Sequence, residues 1–301
     1  MTLICNLQFF FQIYNSGISF CYSLKFKKEH VMLKILCTTD FSKNSKFACE
    51  YAIDLTNKLN AKLTFVTTYD SGAITESIRS IREKVREATE EDLQYFVGKL
   101  RPLIKISEEP QLKVIEGETS ESIVKYAQSS QQDLIVLGTK GSSGILNMLM
   151  GSVTESVIKY SKVAVLAIPV GVKDDIKGNN IILALDEKGI NNPSSISVLK
   201  EFKNLPDTNI DIFHVVVPGE NVKLNSSTGM LDGIVNKIIE VDGVDPVFEI
   251  KNYVDNHDDV GILAMVGRKH TFLERAFFES NTISELFASN VPVLVLPEKI
   301  D

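Results

Sequence analysis

Histidine and cysteine are scarce, with four of each among 301 residues. Cys5, Cys21, Cys37 and Cys49 share no metal-ligand spacing and the histidines complete no cluster with them, which excludes a structural zinc site and leaves the reduced thiols of a cytoplasmic protein. Long apolar runs are lacking too: none approaches the roughly 20 residues of a membrane-spanning helix. Blocks of one charge are absent, since acidic and basic residues are mixed along a chain of net charge −7. That excludes a broad basic footprint for nucleic acid.

Residues 1–31 stand apart. The apolar Phe9-Phe10-Phe11 precedes the basic Lys25, Lys27 and Lys28, the reverse of a secretory signal, and Asn6, Gln8 and Gln12 interrupt the apolar stretch. Met32 then opens directly into Leu-Lys-Ile-Leu-Cys-Thr-Thr-Asp, which reads as a fresh start into a buried strand. The first 31 residues are therefore expected to be a non-native or disordered leader, with a membrane-surface anchor as the alternative. Three Lys and one Glu give the leader +2 and leave −9 on the rest.

What is present, with 44% hydrophobic residues, is enough apolar surface for two cores and a plan that occurs twice. Leu33–Thr39 is an apolar run ending in Asp40, and Asn180–Leu185 is another ending in Asp186. Ala61–Thr68 and Asn209–Val217 read as second strands, and Leu112–Ile115 and Val247–Ile250 as third. Asp133–Gly138 and Gly261–Gly267 read as buried fourth strands, and Val163–Pro169 and Val291–Pro297 close each half. Between them fall helical patterns over Ile74–Ala88, Ser120–Gln128, Ser152–Tyr160 and Thr282–Phe287. The ten residues between Ile250 and Gly261 leave room for only about one helical turn. The alternation predicts an α/β fold of two tandem open, mostly parallel doubly wound domains, 32–170 and 179–301, joined at Gly171–Asn179.

One loop carries chemistry. Gly138 ends a buried strand and is followed by G-x2-G-x9-G-S, formed by Gly138, Gly141, Gly151 and Ser152. Glycines let backbone approach a ligand closely, and the start of the helix after Gly151 offers amides and the positive end of a dipole to phosphate. Asp40, at the carboxyl end of the first strand, would share that crevice. Each residue also has a structural explanation: Ser152 with Glu155 forms S-x-x-E, a capping box, Asp40 could satisfy local amides, and Gly138 could simply end a strand.

The glycine pattern, preceded by Thr38-Thr39-Asp40-Phe41-Ser42, resembles the ATP-binding branch of the universal stress protein family, in full over 32–169 and more loosely over 179–298. The resemblance implies an adenine nucleotide α-hydrolase-like fold and ATP, with or without Mg2+, as ligand. It places Asp40 against the ribose or a phosphate-bound metal and Thr68 near the adenine, although Thr67-Thr68 replaces the family's usual His-Val. Gly138, Gly141, Gly151, Ser152 and Val153 would wrap ribose and phosphates. Lys140 reads as a solvated loop lysine. Single-domain members of the family pair through their last strands, so Val163–Pro169 and Val291–Pro297 are expected to join the two halves, with a homodimer of whole chains a further expectation.

The second half departs from the pattern. Gly267-Arg268-Lys269-His270 keeps only the first glycine, Glu279 stands beside the position that should cradle phosphate, and Thr282 with Glu285 retains a capping box. His214-Val215 and Asp186 match the family and are equally explained by the fold. The leading expectation is a nucleotide-binding regulatory module in the stress response, without membrane or nucleic-acid partners. A slow ATPase or phosphotransfer enzyme and a nucleotide-free scaffold are the alternatives. Turnover would need a positioned base and strong charge stabilisation, and the loop offers only Lys140 and Asp40, with no P-loop and no catalytic His-Asp set.

Overall fold

The computed structural model describes residues 13–14, 17–18, 32–70, 79–140, 150–170, 179–190, 192–219, 229–267 and 291–298. Residues 1–32 form one unit and 33–301 another. In the first, β1 (Ile13–Tyr14) pairs antiparallel with β2 (Gly17–Ile18).

The second unit is built on a ten-stranded sheet. From the first half come β3 (Lys34–Thr38), β4 (Lys62–Tyr69), β5 (Gln111–Glu116), β6 (Leu134–Gly138) and β7 (Ala164–Ile168). From the second come β8 (Asn180–Ala184), β9 (Asn209–Val216), β10 (Lys237–Asp242), β11 (Val260–Gly267) and β12 (Val293–Pro297). The spatial order is β10-β9-β8-β11-β12-β7-β6-β3-β4-β5, so each half repeats the order third-second-first-fourth-fifth. Every pairing in this sheet is parallel except one: β12 meets β7 antiparallel, with Val293 opposite Ala167, Leu294 opposite Leu166 and Val295 opposite Val165. The two strands expected to join the halves do so. These six residues are buried, and their apolar side chains make the seam continuous with the core.

Helices cover both faces, as continuous apolar strands require. On one face lie α1 (Lys43–Leu59), α2 (Arg79–Leu100) and α5 (Pro193–Lys203), packed through Ala48, Ala52, Leu93, Val97, Leu199 and Phe202. On the other lie α3 (Thr119–Ser129), α4 (Ser152–Tyr160) and α6 (Pro246–Asn256), packed through Ile123, Ala127, Val157, Ile158, Val247 and Ile250. Among the described residues no helix is long and apolar enough to cross a membrane.

Two expectations are corrected. Val247–Ile250 is not a strand but the first turn and a half of α6, an 11-residue helix, and the third strand of the second half is β10 at Lys237–Asp242. Val247, Ile250 and Val254 are buried at helical spacing, and Asp245 caps the helix start ahead of Pro246, which suits a first helical position. The stripe through Ile81, Val85 and Ala88 does not face the core either. Ile81 is 47% exposed, and α2 packs instead through Leu93, Val97 and Leu100; Ile74 and Ile78 lie outside the described residues.

Candidate functional site

The carboxyl ends of β3, β4 and β6 lie side by side, because β3 pairs with both of its neighbours. Asp40 emerges from β3 into an exposed turn, where its Oδ1 accepts a hydrogen bond from the Ser42 amide at 3.1 Å. Phe41 follows with φ of 62°, an uncommon conformation for an aromatic residue. It is held by its amide donating to Thr39 Oγ1 at 3.0 Å and by edge contact of its ring with Phe96 at 5.6 Å. Ser42 then caps α1, its Oγ accepting from the Ser45 amide at 3.2 Å. Ser45 Oγ in turn sits 3.1 Å from Thr39 Oγ1, closing a buried hydroxyl pair beneath the turn. Ser45 was not singled out by the sequence pattern, although Ser42-x-x-Ser45 ahead of a helix is the available signal.

Thr68, the penultimate residue of β4, is half-buried, and its hydroxyl donates to Thr119 Oγ1 at 3.0 Å, at the first residue of α3. The chain reaches α3 through Gly117, whose φ of 123° requires glycine. Glu118 caps this helix, accepting from the Ser120 and Glu121 amides at 3.1 and 2.7 Å. The Glu121 amide, with Ser120 adding to it, holds the Glu118 carboxyl below its ordinary value against a smaller opposing effect of desolvation.

Gly138 ends β6 with its carbonyl accepting from Thr154 Oγ1 at 2.8 Å, and the backbone of Asn44 in α1 lies close by. A Cβ added at Gly138 would meet Asn44 O at 3.4 Å and Lys140 O at 3.5 Å, ordinary contacts, and its φ is not in the left-handed region. Gly151 precedes α4 with φ −76° and ψ 151°, a conformation open to any residue. Backbone conformation therefore demands glycine at neither position. Ser152 is exposed and Val153 half-buried in the first turn of α4. Gly141 lies outside the described residues.

The capping box read at Ser152 and Glu155 does not form. Gly151 is the capping residue, Ser152 is already helical, and among the described residues no side chain accepts from the first-turn amides of α4. By contrast α1, α3, α5 and α6 are each capped by a side chain, from Ser42, Glu118, Asn192 and Asp245. The start of α4 thus presents amides and a positive dipole end beside Gly138, an arrangement suited to an anion. Among the described residues, no group of three or more His, Cys, Asp and Glu side chains could hold a metal ion by itself.

The second half repeats the backbone arrangement of the first with different side chains at several positions. Asp186 Oδ1 accepts from the Lys188 amide at 3.2 Å, as Asp40 does from Ser42. His214 stands where Thr67 stands in the first half and is buried, with Nδ1 2.9 Å from the Leu185 carbonyl. At Gly267, the counterpart of Gly138, a Cβ would meet Val295 Cγ1 at 3.0 Å, so packing alone accounts for that glycine. His270, Glu279 and the Thr282–Glu285 capping box lie outside the described residues.

The model of the "Universal stress protein family" matches residues 32–169. A universal stress protein of Methanocaldococcus jannaschii is 31% identical over 145 residues, covering 46% of this chain and 84% of that protein. The stress response protein NhaX of Bacillus subtilis is 24% identical over 160 residues, 45% of this chain and 96% of that protein. Both halves find a counterpart in the crystal structure of a universal stress protein from Archaeoglobus fulgidus, which covers 88% of this chain and 96% of its own with a TM-score of 0.61 at 21% identity, a likeness of fold. With the family's model matched over the whole first half and the archaeal relative aligned along most of its length, this chain belongs to the universal stress protein family.

Proposed function

We propose that residues 32–170 form an ATP-binding domain and residues 179–301 a degenerate partner domain, and that the chain acts as a nucleotide-dependent regulatory module of the stress response. The observation that carries this reading is the pair Gly138 and Gly151: neither has a backbone conformation that needs glycine, and a Cβ at Gly138 would meet only ordinary contacts. The advantage of a missing side chain there lies in what approaches from outside.

In this reading the phosphates sit against the uncapped first-turn amides of α4, at Ser152 and Val153, with Gly138, Gly141 and Gly151 giving close access. Asp40 faces the ribose, or contributes one carboxylate to a magnesium ion brought in by the phosphates. Thr68, hydrogen-bonded to Thr119, borders the adenine. ATP is then held as a signal, and its occupancy sets the surface offered to a partner.

The test is nucleotide retained through purification of the full chain, together with thermal shifts on titrating ATP with and without magnesium. A saturable shift and single-site occupancy are expected. Multiple turnovers under saturating ATP would instead make the protein an enzyme, and the absence of both shift and bound nucleotide would leave a scaffold.

A further inference from the structure

Cys37 is the penultimate residue of β3 and Cys49 lies two turns into α1, and both are fully buried. Their sulfurs are 3.3 Å apart, with the Cys37 thiol donating to Cys49 and the Cys49 thiol directed at the Thr38 carbonyl at 3.9 Å. Neither is in a disulfide. Eleven residues separate them in the chain, a spacing that belongs to no redox or metal motif, and only the packing of α1 on β3 brings them together.

We propose that Cys37 and Cys49 are a redox-modification site, a dithiol that a hydroperoxide converts to an intramolecular disulfide and that alters the Asp40 turn when it closes. One sulfur attacks the peroxide, whose O–O bond breaks; that cysteine becomes a sulfenic acid and a water leaves. The second sulfur attacks the sulfenic sulfur, the S–S bond forms, and hydroxide leaves as a second water with the attacking thiol's proton. Two thiols are oxidised by two electrons in all, and one hydrogen peroxide is reduced to two waters.

The position supports both halves of this inference. Sulfurs in van der Waals contact need to approach by only about 1.3 Å to reach bonding distance. Burial first, and Cys49 second, raise the Cys37 thiol well above the usual thiol range, which makes it a slow nucleophile, so the 3.3 Å contact favours closure of the link once a small neutral oxidant has reached one sulfur under sustained exposure. Cys49 lies one turn beyond Ser45 on the same face of α1, and Ser45 Oγ contacts Thr39 Oγ1 at 3.1 Å and the Ser42 carbonyl at 3.1 Å. Drawing α1 toward β3 at Cys49 therefore pulls on the hydroxyl net that shapes Asp40, Phe41 and Ser42.

The experiment uses the full chain with Cys5→Ser and Cys21→Ser, treated with hydrogen peroxide while folded, and read by intact mass and peptide mapping. The expected product has lost two hydrogens, carries a Cys37–Cys49 linked peptide, reverts with dithiothreitol, and is not formed by the additional variants Cys49→Ala or Cys37→Ala with unchanged circular dichroism. Oxygen addition to single sulfurs, or a link that forms only after urea unfolding, overturns the site. The effect on the turn rests on the nucleotide reading, and ATP affinity is expected to weaken on the order of tenfold on oxidation. Equal affinities in linked and reduced protein overturn the coupling, whereas a link forming in a chain that binds no nucleotide in either state rejects the nucleotide reading and leaves the dithiol in place.

Discussion

The amide of Gly151 donates to the carbonyl of Thr139 at 2.7 Å, so the two ends of the glycine loop are tied together where α4 begins. Thr139 is itself anchored, with its amide on the Ile168 carbonyl at 2.9 Å. Whatever the intervening residues do, the loop's entry and exit are set by the sheet.

That tie yields a prediction of opposite signs from one substitution. Gly151→Asp keeps the backbone bond, adds a carboxylate that caps α4, and is expected to leave the free protein equally stable or more stable by about 0.3 kcal/mol. The same carboxylate repels phosphate, so the ATP-dependent thermal shift should vanish. Differential scanning fluorimetry with and without ATP reads both; a shift that survives would sink the phosphate site.

The two structurally equivalent glycines should respond differently to alanine. Gly138→Ala is expected to stabilise the fold by about 0.4–1 kcal/mol through the unfolded chain while weakening ATP binding at least tenfold. Gly267→Ala places a methyl group 3.0 Å from Val295 Cγ1 and is expected to cost about 1 kcal/mol or more, with no effect on ATP affinity. Urea denaturation and calorimetric titration separate the two, and a destabilised Gly138→Ala would return that glycine to a packing role.

Much of this architecture was legible because strands buried on both faces announce themselves as unbroken apolar runs. Leu134–Gly138 and Val260–Gly267 are examples, and the paired closing strands at Ala164–Ile168 and Val293–Pro297 fell where their runs stood. The edge of the sheet was harder. β10 is half exposed, so Lys237–Asp242 lacks the continuous apolar signal, and the short run Val247–Ile250 drew the strand assignment although Asp245-Pro246 marks a helix start. The capping box at Ser152 failed by one position, since Gly151 occupies the capping place. The Thr39–Ser45, Thr68–Thr119 and Cys37–Cys49 contacts join residues from different elements, and no local pattern specifies them.

The corrected helix can be tested directly. Asp245 Oδ1 accepts from the Val247 amide at 3.0 Å, so Asp245→Ala is expected to cost about 1 kcal/mol in urea denaturation. A strand at Val247–Ile250 would make that substitution nearly silent.

Two carboxylates should move stability in opposite directions with pH. Glu118 is held below its ordinary 4.5, so its contribution to folding is present above that pH and is lost as pH falls through the lowered value. Because this group is almost wholly exposed, Glu118→Gln is expected to cost only about 0.5 kcal/mol at pH 7 and less than that at pH 3, after allowance for solvent screening. Asp133, raised above 3.8 mainly by burial despite accepting from the Lys34 amide, contributes below its ordinary value and loses that contribution as pH rises through the raised one. Asp133→Asn should therefore be tolerated at pH 7 and lose ground to the parent protein in acid. Chemical denaturation at the two pH values reads both, and matching pH trends for the two variants would refute the assignment.

The antiparallel seam between β7 and β12 has a directional consequence. All five strands of one half run against all five of the other, so their carboxyl ends open at opposite ends of the ten-stranded sheet. A ligand held near Asp40 and whatever contacts the end near Asp186 can be present together without touching. The seam between the two halves is apolar, and Leu166 facing Leu294 stands at the middle of its register.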